Sequence, residues 1–226
     1  MVVIYEDNHI IAVNKPVGTL VHGDETGDLT LADQVKSYIK IRYNKPGDVF
    51  LGVIHRLDRP VSGVVVFART SKGLIRMNEL LKNQEVSKTY LAIVSNRPEE
   101  LSARLTHHII KDNTKNIVKA YASKKPGTKE ARLDYEVKGE LDGKVLLEVS
   151  PITGRPHQIR VQLSKIECPI VGDLKYGATY PLPDKSIALH CSKMAFFHPV
   201  AKEQITITAE PPGKFPWNTF SYENNQ

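Results

Sequence analysis

Residues 55–63 read His-Arg-Leu-Asp-Arg-Pro-Val-Ser-Gly and run directly into Val64, Val65, Val66, Phe67 and Ala68. A carboxylate, Asp58, therefore stands between Arg56 and Arg59 at the mouth of an apolar run that reads as a buried strand. Opposite charges close by lower a carboxyl pKa by about 1–3 units. Asp58 is expected to stay ionised, and only the ionised form is a nucleophile or base. The competing reading of this segment is a loop salt bridge. A second cluster far away in sequence, Thr153-Gly154-Arg155-Pro156-His157-Gln158-Ile159-Arg160, carries the same mixture of glycine, arginine and polar side chains.

The elements that must position these clusters are legible from periodicity. Val2 to Tyr5 and Ile10 to Val13 read as an opening strand pair around Glu6-Asp7-Asn8. Thr30 can cap a helix in which Leu31, Val35, Tyr38, Ile39 and Arg42 fall near helical spacing, with Asp33 in the acidic first turn and Gly47 beyond its end. A second helix is predicted from Ser71, with Leu74, Ile75, Leu80 and Leu81 as a core-facing stripe, before Thr89 to Val94 resumes a strand pattern. Asp142-Gly143 between Arg132–Val137 and Val145–Val149 is a hairpin signal. Short strands with two helices predict an α+β fold with a mixed, largely antiparallel sheet flanked by helices and loops. One domain is expected over residues 1–220, followed by a polar tail, 221–226.

Lys plus Arg number 31 against 25 acidic residues, a net charge of +6, which suits a polyanionic partner such as RNA. One stretch concentrates that charge: Arg104, Lys111, Lys115, Lys119, Lys124, Lys125, Lys129 and Arg132 face only Asp112 and Glu130. It reads as a phosphate-facing surface, with His107, His108 and Tyr121 available to stack on unpaired bases, or as an ordinary solvated basic ribbon. The N-terminus lacks a basic stretch followed by an apolar segment, and no apolar run reaches the roughly 18 residues a membrane helix needs. A cytoplasmic protein without a membrane partner is expected, with Cys168 and Cys191 reduced.

Five ordered blocks, HRLDRPVSGVVVFART at 55–70, SKTYLAIV at 87–94, TGRPHQIRVQL at 153–163, CPIVGDLKYGA at 168–178 and LHCSKMAFFHP at 189–199, resemble the RluA-type pseudouridine synthases. The resemblance runs from about Tyr5 to Trp217. It implies isomerisation of specific uridines in structured rRNA or tRNA, moving the glycosidic bond from N1 to C5 of uracil. Asp58 matches the nucleophile of that motif. Arg56 is similar to the arginine that fills the space vacated when the target base is flipped out, a step costing a few kcal/mol. Tyr90 matches the tyrosine that packs on the base, and Arg160 the arginine that pairs with the aspartate. Arg155 is a secondary substrate-binding candidate, touching RNA or supporting its loop. Attack on ribose, attack on uracil and deprotonation of the sugar remain open as routes. The reaction needs no cofactor or metal; the expected partner is RNA rather than DNA, and a monomer is the default.

From Tyr5 the chain reads YEDNHIIAVNKPVG, which resembles the start of the family's catalytic domain, so substrate choice is expected to come from that domain's own loops. Asn14, Lys15 and Pro16 resemble an element placed near the cleft, with direct catalysis by Lys15 not expected. Ser62, Gly63, Gly154, Gly172 and Gly177 read as turn-shaping residues, and His55, His157, His190 and His198 as hydrogen-bonding scaffold. The chain departs from the family's usual wording at Val61, Pro156 and Gln162. Two competing functions are a catalytically silent RNA-binding or ribosome-assembly protein of the same fold, and a metal-dependent phosphoesterase. Intact Asp58, Tyr90 and Arg160 argue against the first, and the lack of matched ligand spacing against the second.

Overall fold

The structure, a computed structural model, describes residues 1–23, 27–112 and 114–220, so the expected tail at 221–226 lies outside the described residues. In chain order the elements are β1 (Val2–Glu6), β2 (Ile10–Lys15), α1 (Leu31–Arg42), β3 (Gly52–Val53), β4 (Ser62–Ala68), α2 (Ser71–Lys82) and β5 (Ser87–Val94). Then follow β6 (Ser102–Asp112), β7 (Ile117–Tyr121), β8 (Lys129–Leu141), β9 (Lys144–Pro151), α3 (Gln158–Lys165), β10 (Leu189–Phe197) and β11 (Gln204–Thr208). The class is α+β, and the chain divides into two compact units: Met1–Lys88 with Cys191–Glu210, and Thr89–His190 with Pro211–Gln226.

In the first unit, Asp7 Oδ1 accepts from the backbone N–H groups of His9 and Ile10, closing the turn that folds β1 back on β2. β2 pairs antiparallel with β4, Ile11 opposite Phe67 and Val13 opposite Val65. Every residue of β4 is buried, which is why its sequence is a continuous apolar run rather than an alternation. α1 carries the predicted cap: the Asp33 N–H donates to Thr30 Oγ1 and the Thr30 N–H to the Asp33 carboxylate, both at 3.1 Å. Its buried face is Leu31, Ala32, Val35 and Ile39.

α2 forms where predicted but turns a different face inward. Gly73 and Met77 are its buried residues, whereas Ile75 is 59% exposed. At 100° per residue Ile75 lies opposite the line through residues 73, 77 and 80–81. That line faces inward because the helix approaches the backbone of His9 so closely that a Cβ on Gly73 would sit 2.8 Å from the His9 carbonyl oxygen.

The second unit is a five-stranded antiparallel arrangement in the order β5-β9-β8-β6-β7. The predicted β8–β9 hairpin turns through Asp142 (φ 49°) and Gly143 (φ 71°), the left-handed pair that a tight two-residue turn requires. α3 was not predicted. All its residues from Gln158 to Leu163 are buried, polar ones included, so it shows no amphipathic stripe for periodicity to find. It packs Val161 into a cluster with Ile109, Val118, Ala131 and Tyr176.

Candidate active site

In the first unit Asp58 is presented by a tight turn in which the Val61 N–H donates to the Asp58 carbonyl at 3.0 Å. Along the approach Ile54 and Leu57 are inside, Arg56 is exposed and Asp58 half-buried. Two devices hold this turn. Gly63, at φ 118°, lies so near Cys191 that a Cβ would fall 2.2 Å from its carbonyl oxygen, so only glycine fits between β4 and the strand beside it. The other device is Lys15, fully buried, whose Nζ donates to the carbonyls of Pro16 (3.0 Å), Thr19 (2.8 Å) and Arg59 (3.2 Å). The Gly18 N–H also donates to Arg59 O, at 2.9 Å. Burial pushes the Lys15 pKa down to about 7, while the charge of Asp58 opposes the fall.

Arg59 takes partners that the sequence did not name. Its Nη2 pairs with Asp28 at 2.8 Å and its Nε donates to Gly18 O at 3.0 Å. His55 Nε2 accepts from the Val66 N–H at 3.0 Å, and burial holds its pKa well below the usual histidine value, with Lys88 adding to the effect. His55 is therefore a neutral scaffold group at neutral pH.

The second unit holds Tyr90, Arg155 and Arg160. Tyr90 lies on β5 opposite Val149 and is 9% exposed. Arg160 sits on α3 and grips Asp173 in a two-point contact, Nε to Oδ2 at 2.7 Å and Nη2 to Oδ1 at 2.8 Å, with both side chains buried. Its guanidinium carbon lies 5.0 Å from the centre of the Tyr176 ring, whose hydroxyl meets His157 Nδ1 at 2.7 Å. His157 starts the helix in a left-handed conformation, φ 50°. Upstream, Gln158 braces the loop: its Oε1 accepts from Thr153 Oγ1 (2.7 Å) and the Arg155 N–H (3.0 Å), and its Nε2 donates to Arg132 O (2.9 Å). Arg155 is exposed, its Nε on Glu130 O at 3.2 Å.

Several expectations change in this unit. His107 is 8% exposed and meets Gln162 Nε2 at 3.1 Å, so it is a packed group rather than a base-stacking one. Gln162 Nε2 also faces the Leu105 and Ala131 carbonyls, which accounts for an amide at that position. Arg104 pairs with Asp134 at 2.7 Å and Arg132 with Glu130 at 3.2 Å, removing two cations from the expected phosphate-facing set. Sequence reasoning missed the support roles of Lys15 and Asp173. The signals existed: a lysine inside an apolar strand, and an acid within the CPIVGDLKYGA block. Cys168 and Cys191 are both buried, and neither is joined in a disulfide among the described residues. Among the described residues no three His, Cys, Asp or Glu side chains are gathered as a metal site requires.

The family model described as RNA pseudouridylate synthase matches residues 9–165. The chain is 33% identical over 217 residues to the ribosomal large subunit pseudouridine synthase C of Buchnera aphidicola subsp. Baizongia pistaciae (strain Bp), covering 92% of this chain and 66% of that protein. It is 31% identical to the tRNA pseudouridine synthase C of Vibrio vulnificus (strain CMCP6), covering 92% of this chain and 89% of that one. The chain thus spans just under two thirds of the Buchnera relative's length. Its fold is similar to that of human RNA pseudouridylate synthase domain containing 4, with a TM-score of 0.78 over 93% of this chain and 88% of that chain at 24% identity.

Proposed function

The chain belongs to the RNA pseudouridylate synthase family, and on that premise we propose that it isomerises specific uridines in rRNA or tRNA to pseudouridine, with Asp58 as the reacting carboxylate. The observation that carries the reading is the Asp58 turn. A half-buried carboxylate stands on a backbone held by Gly63 below and by the three carbonyl contacts of Lys15 beside it. Such fixed placement is what a nucleophile acting on a flipped-out nucleotide needs.

In the same reading exposed Arg56 enters the space the base vacates, Tyr90 offers its ring to the uracil, and Arg160 is the cation paired with the attacking carboxylate. Arg155 contacts RNA outside the reacting nucleotide. The enzyme works as a monomer in the cytoplasm, with residues 1–220 as its catalytic domain and without a cofactor.

The test is to map pseudouridines by chemical labelling and reverse transcription in RNA from cells lacking the protein, restored with wild type or Asp58→Asn. Sites that vanish on deletion and return only with wild type identify both the substrate and the nucleophile. Restoration of every site by Asp58→Asn would remove Asp58 from the chemistry.

A further inference from the structure

The pairing of β8 with β6 ends at Lys129 opposite Ile109, whereas β7 continues along β6 through Ile110–Lys119, Lys111–Val118 and Asp112–Ile117. From Ile110 onward, β6 has a strand along one edge only among the described residues. A cavity of about 250 Å³ opens here. Ile109, Ile110, Val118 and Pro156 give it apolar walls, and Lys111, Lys129 and Arg155 supply three cations; among the described residues no carboxylate lines it.

The walls are built rather than incidental. The loop before β8 is closed by hydrogen bonds between Lys125 and Thr128, at 3.0 Å from the Lys125 N–H and 3.1 Å from the Thr128 N–H. Gly127 there comes so close to Ile110 that a Cβ would lie 3.2 Å from Ile110 Cδ1. On the other side the Arg155 backbone is fixed by Gln158 and its Nε by Glu130 O. Pro156, where the chain departs from its family's usual Thr or Ser, contributes an apolar wall in place of a hydroxyl.

A site that is apolar in the middle and cationic at the rim fits a flat group flanked by anions. Its volume falls just under the roughly 300–1,000 Å³ of small-molecule pockets, room for a single such group. An acidic peptide would bring its carboxylates to the rim but leave the apolar walls unfilled. A duplex would present phosphates with nothing to insert. An unpaired nucleotide supplies both parts.

We propose that this groove holds one unpaired nucleotide of the RNA other than the uridine being isomerised, its base against Ile110 and Pro156 and its flanking phosphates on Lys111, Lys129 and Arg155. The inference rests on the RNA-directed reading above and adds a specificity-determining subsite to it.

The test is fluorescence anisotropy on the full chain with a labelled oligoadenylate of about ten nucleotides, which contains no uridine, and with an abasic strand of the same length. The rim variant Lys111→Ala/Lys129→Ala should weaken binding of both strands about tenfold and flatten the log–log salt dependence by roughly 0.7 for each lost contact. The wall variant Ile110→Ser/Pro156→Ser should leave the salt slope alone and shrink the wild-type preference for adenylate over the abasic strand by about fivefold. A first-unit control, Lys40→Ala/Lys45→Ala, removes the same charge from exposed positions.

Equal losses in the rim variant and the control would overturn the proposal. So would a wild type indifferent to the base, or displacement of the RNA by polyglutamate as readily as by unlabelled oligoadenylate. The two readings fail separately. Pseudouridine sites that depend on this protein, together with rim and wall variants that bind like wild type, would leave the isomerase and remove the groove. The variant effects appearing as expected, with no dependent pseudouridine site, would leave the groove and remove the isomerase.

Discussion

The turn that carries Asp58 and the helix that carries Arg160 hold these candidate side chains in opposite ways. At the turn, fixed groups are mostly backbone: Lys15 Nζ meets three carbonyls, Gly18 meets a fourth contact through Arg59 O, and Gly63 presses on Cys191. The side chains at the tip, Arg56 and Asp58, are left exposed and half-buried. At the helix the fixed groups are side chains bonded to one another: Arg160 with Asp173, His157 with Tyr176, Gln158 with Thr153. A scaffold made of backbone leaves its tip residues open to substitution without unfolding. A scaffold made of buried side chains cannot lose one without stranding its partner.

The sharpest way to break this contrast is Asp58→Asn. Loss of the carboxylate should lower single-turnover pseudouridine formation by roughly 10³-fold or more, while the melting temperature moves by no more than a few degrees, about 0.5–1 kcal/mol. A protein that unfolds instead would show the turn to be as dependent on its side chains as the helix is.

Arg160→Ala should do the reverse. Removing one member of a buried, doubly bonded pair leaves Asp173 as an uncompensated charge, a cost of about 3–5 kcal/mol in urea unfolding. Arg160→Met/Asp173→Leu, which removes both charges, should recover most of that stability without recovering activity. If the double variant is as unstable as the single one, the pair is not the source of the loss.

The same contrast explains what could be read from the chain beforehand. Strands β2 and β4, the capped helix at Thr30 and the Asp142-Gly143 hairpin follow from local rules of burial, capping and turn geometry, and they formed as those rules require. Asp58 stood out as a candidate because a charged segment abuts a wholly apolar run. The helix from Gln158 was not, because it is buried on all sides with polar and apolar residues alike, and its bonds go to Arg132, His107 and Asp173, residues 13 to 55 positions away. The Arg59 contact with Asp28 was not legible, because adjacency in sequence does not fix where a long side chain points. Ile75 misled for a related reason: the choice of buried face on α2 was made by a glycine contact with His9, which no count of apolar residues registers.

Lys15→Met tests whether the turn depends on the lysine's charge or its hydrogen bonds. At neutral pH the variant should lose about 2 kcal/mol, because the carbonyls of Pro16, Thr19 and Arg59 lose the donor that ties them together. The dependence on pH has a definite sign. Burial lowers the folded-state pKa to about 7 from 10.5, so between these values the unfolded chain binds a proton the folded one has shed. Stability of the wild type should therefore rise with pH across that window relative to Lys15→Met, and the difference should be level below pH 7. A difference that stays flat to pH 10 would mean the ammonium persists, held by Asp58 and the three carbonyls.

The smallest effect on folding is expected at Arg56, and it sharpens the comparison most finely because the residue differs from Arg160 mainly in exposure. Arg56 is exposed between buried Ile54 and Leu57, so Arg56→Ala should shift unfolding by no more than about 0.5 kcal/mol. A side chain that fills the space left by a flipped base acts only once RNA is bound. The loss should therefore appear as weaker turnover of RNA in which the target uridine is paired or stacked, and shrink for a short unpaired strand where extrusion costs least. Equal losses on both substrates would assign Arg56 to general phosphate binding, and a large loss of stability would place it among the buried scaffold that the other unit uses.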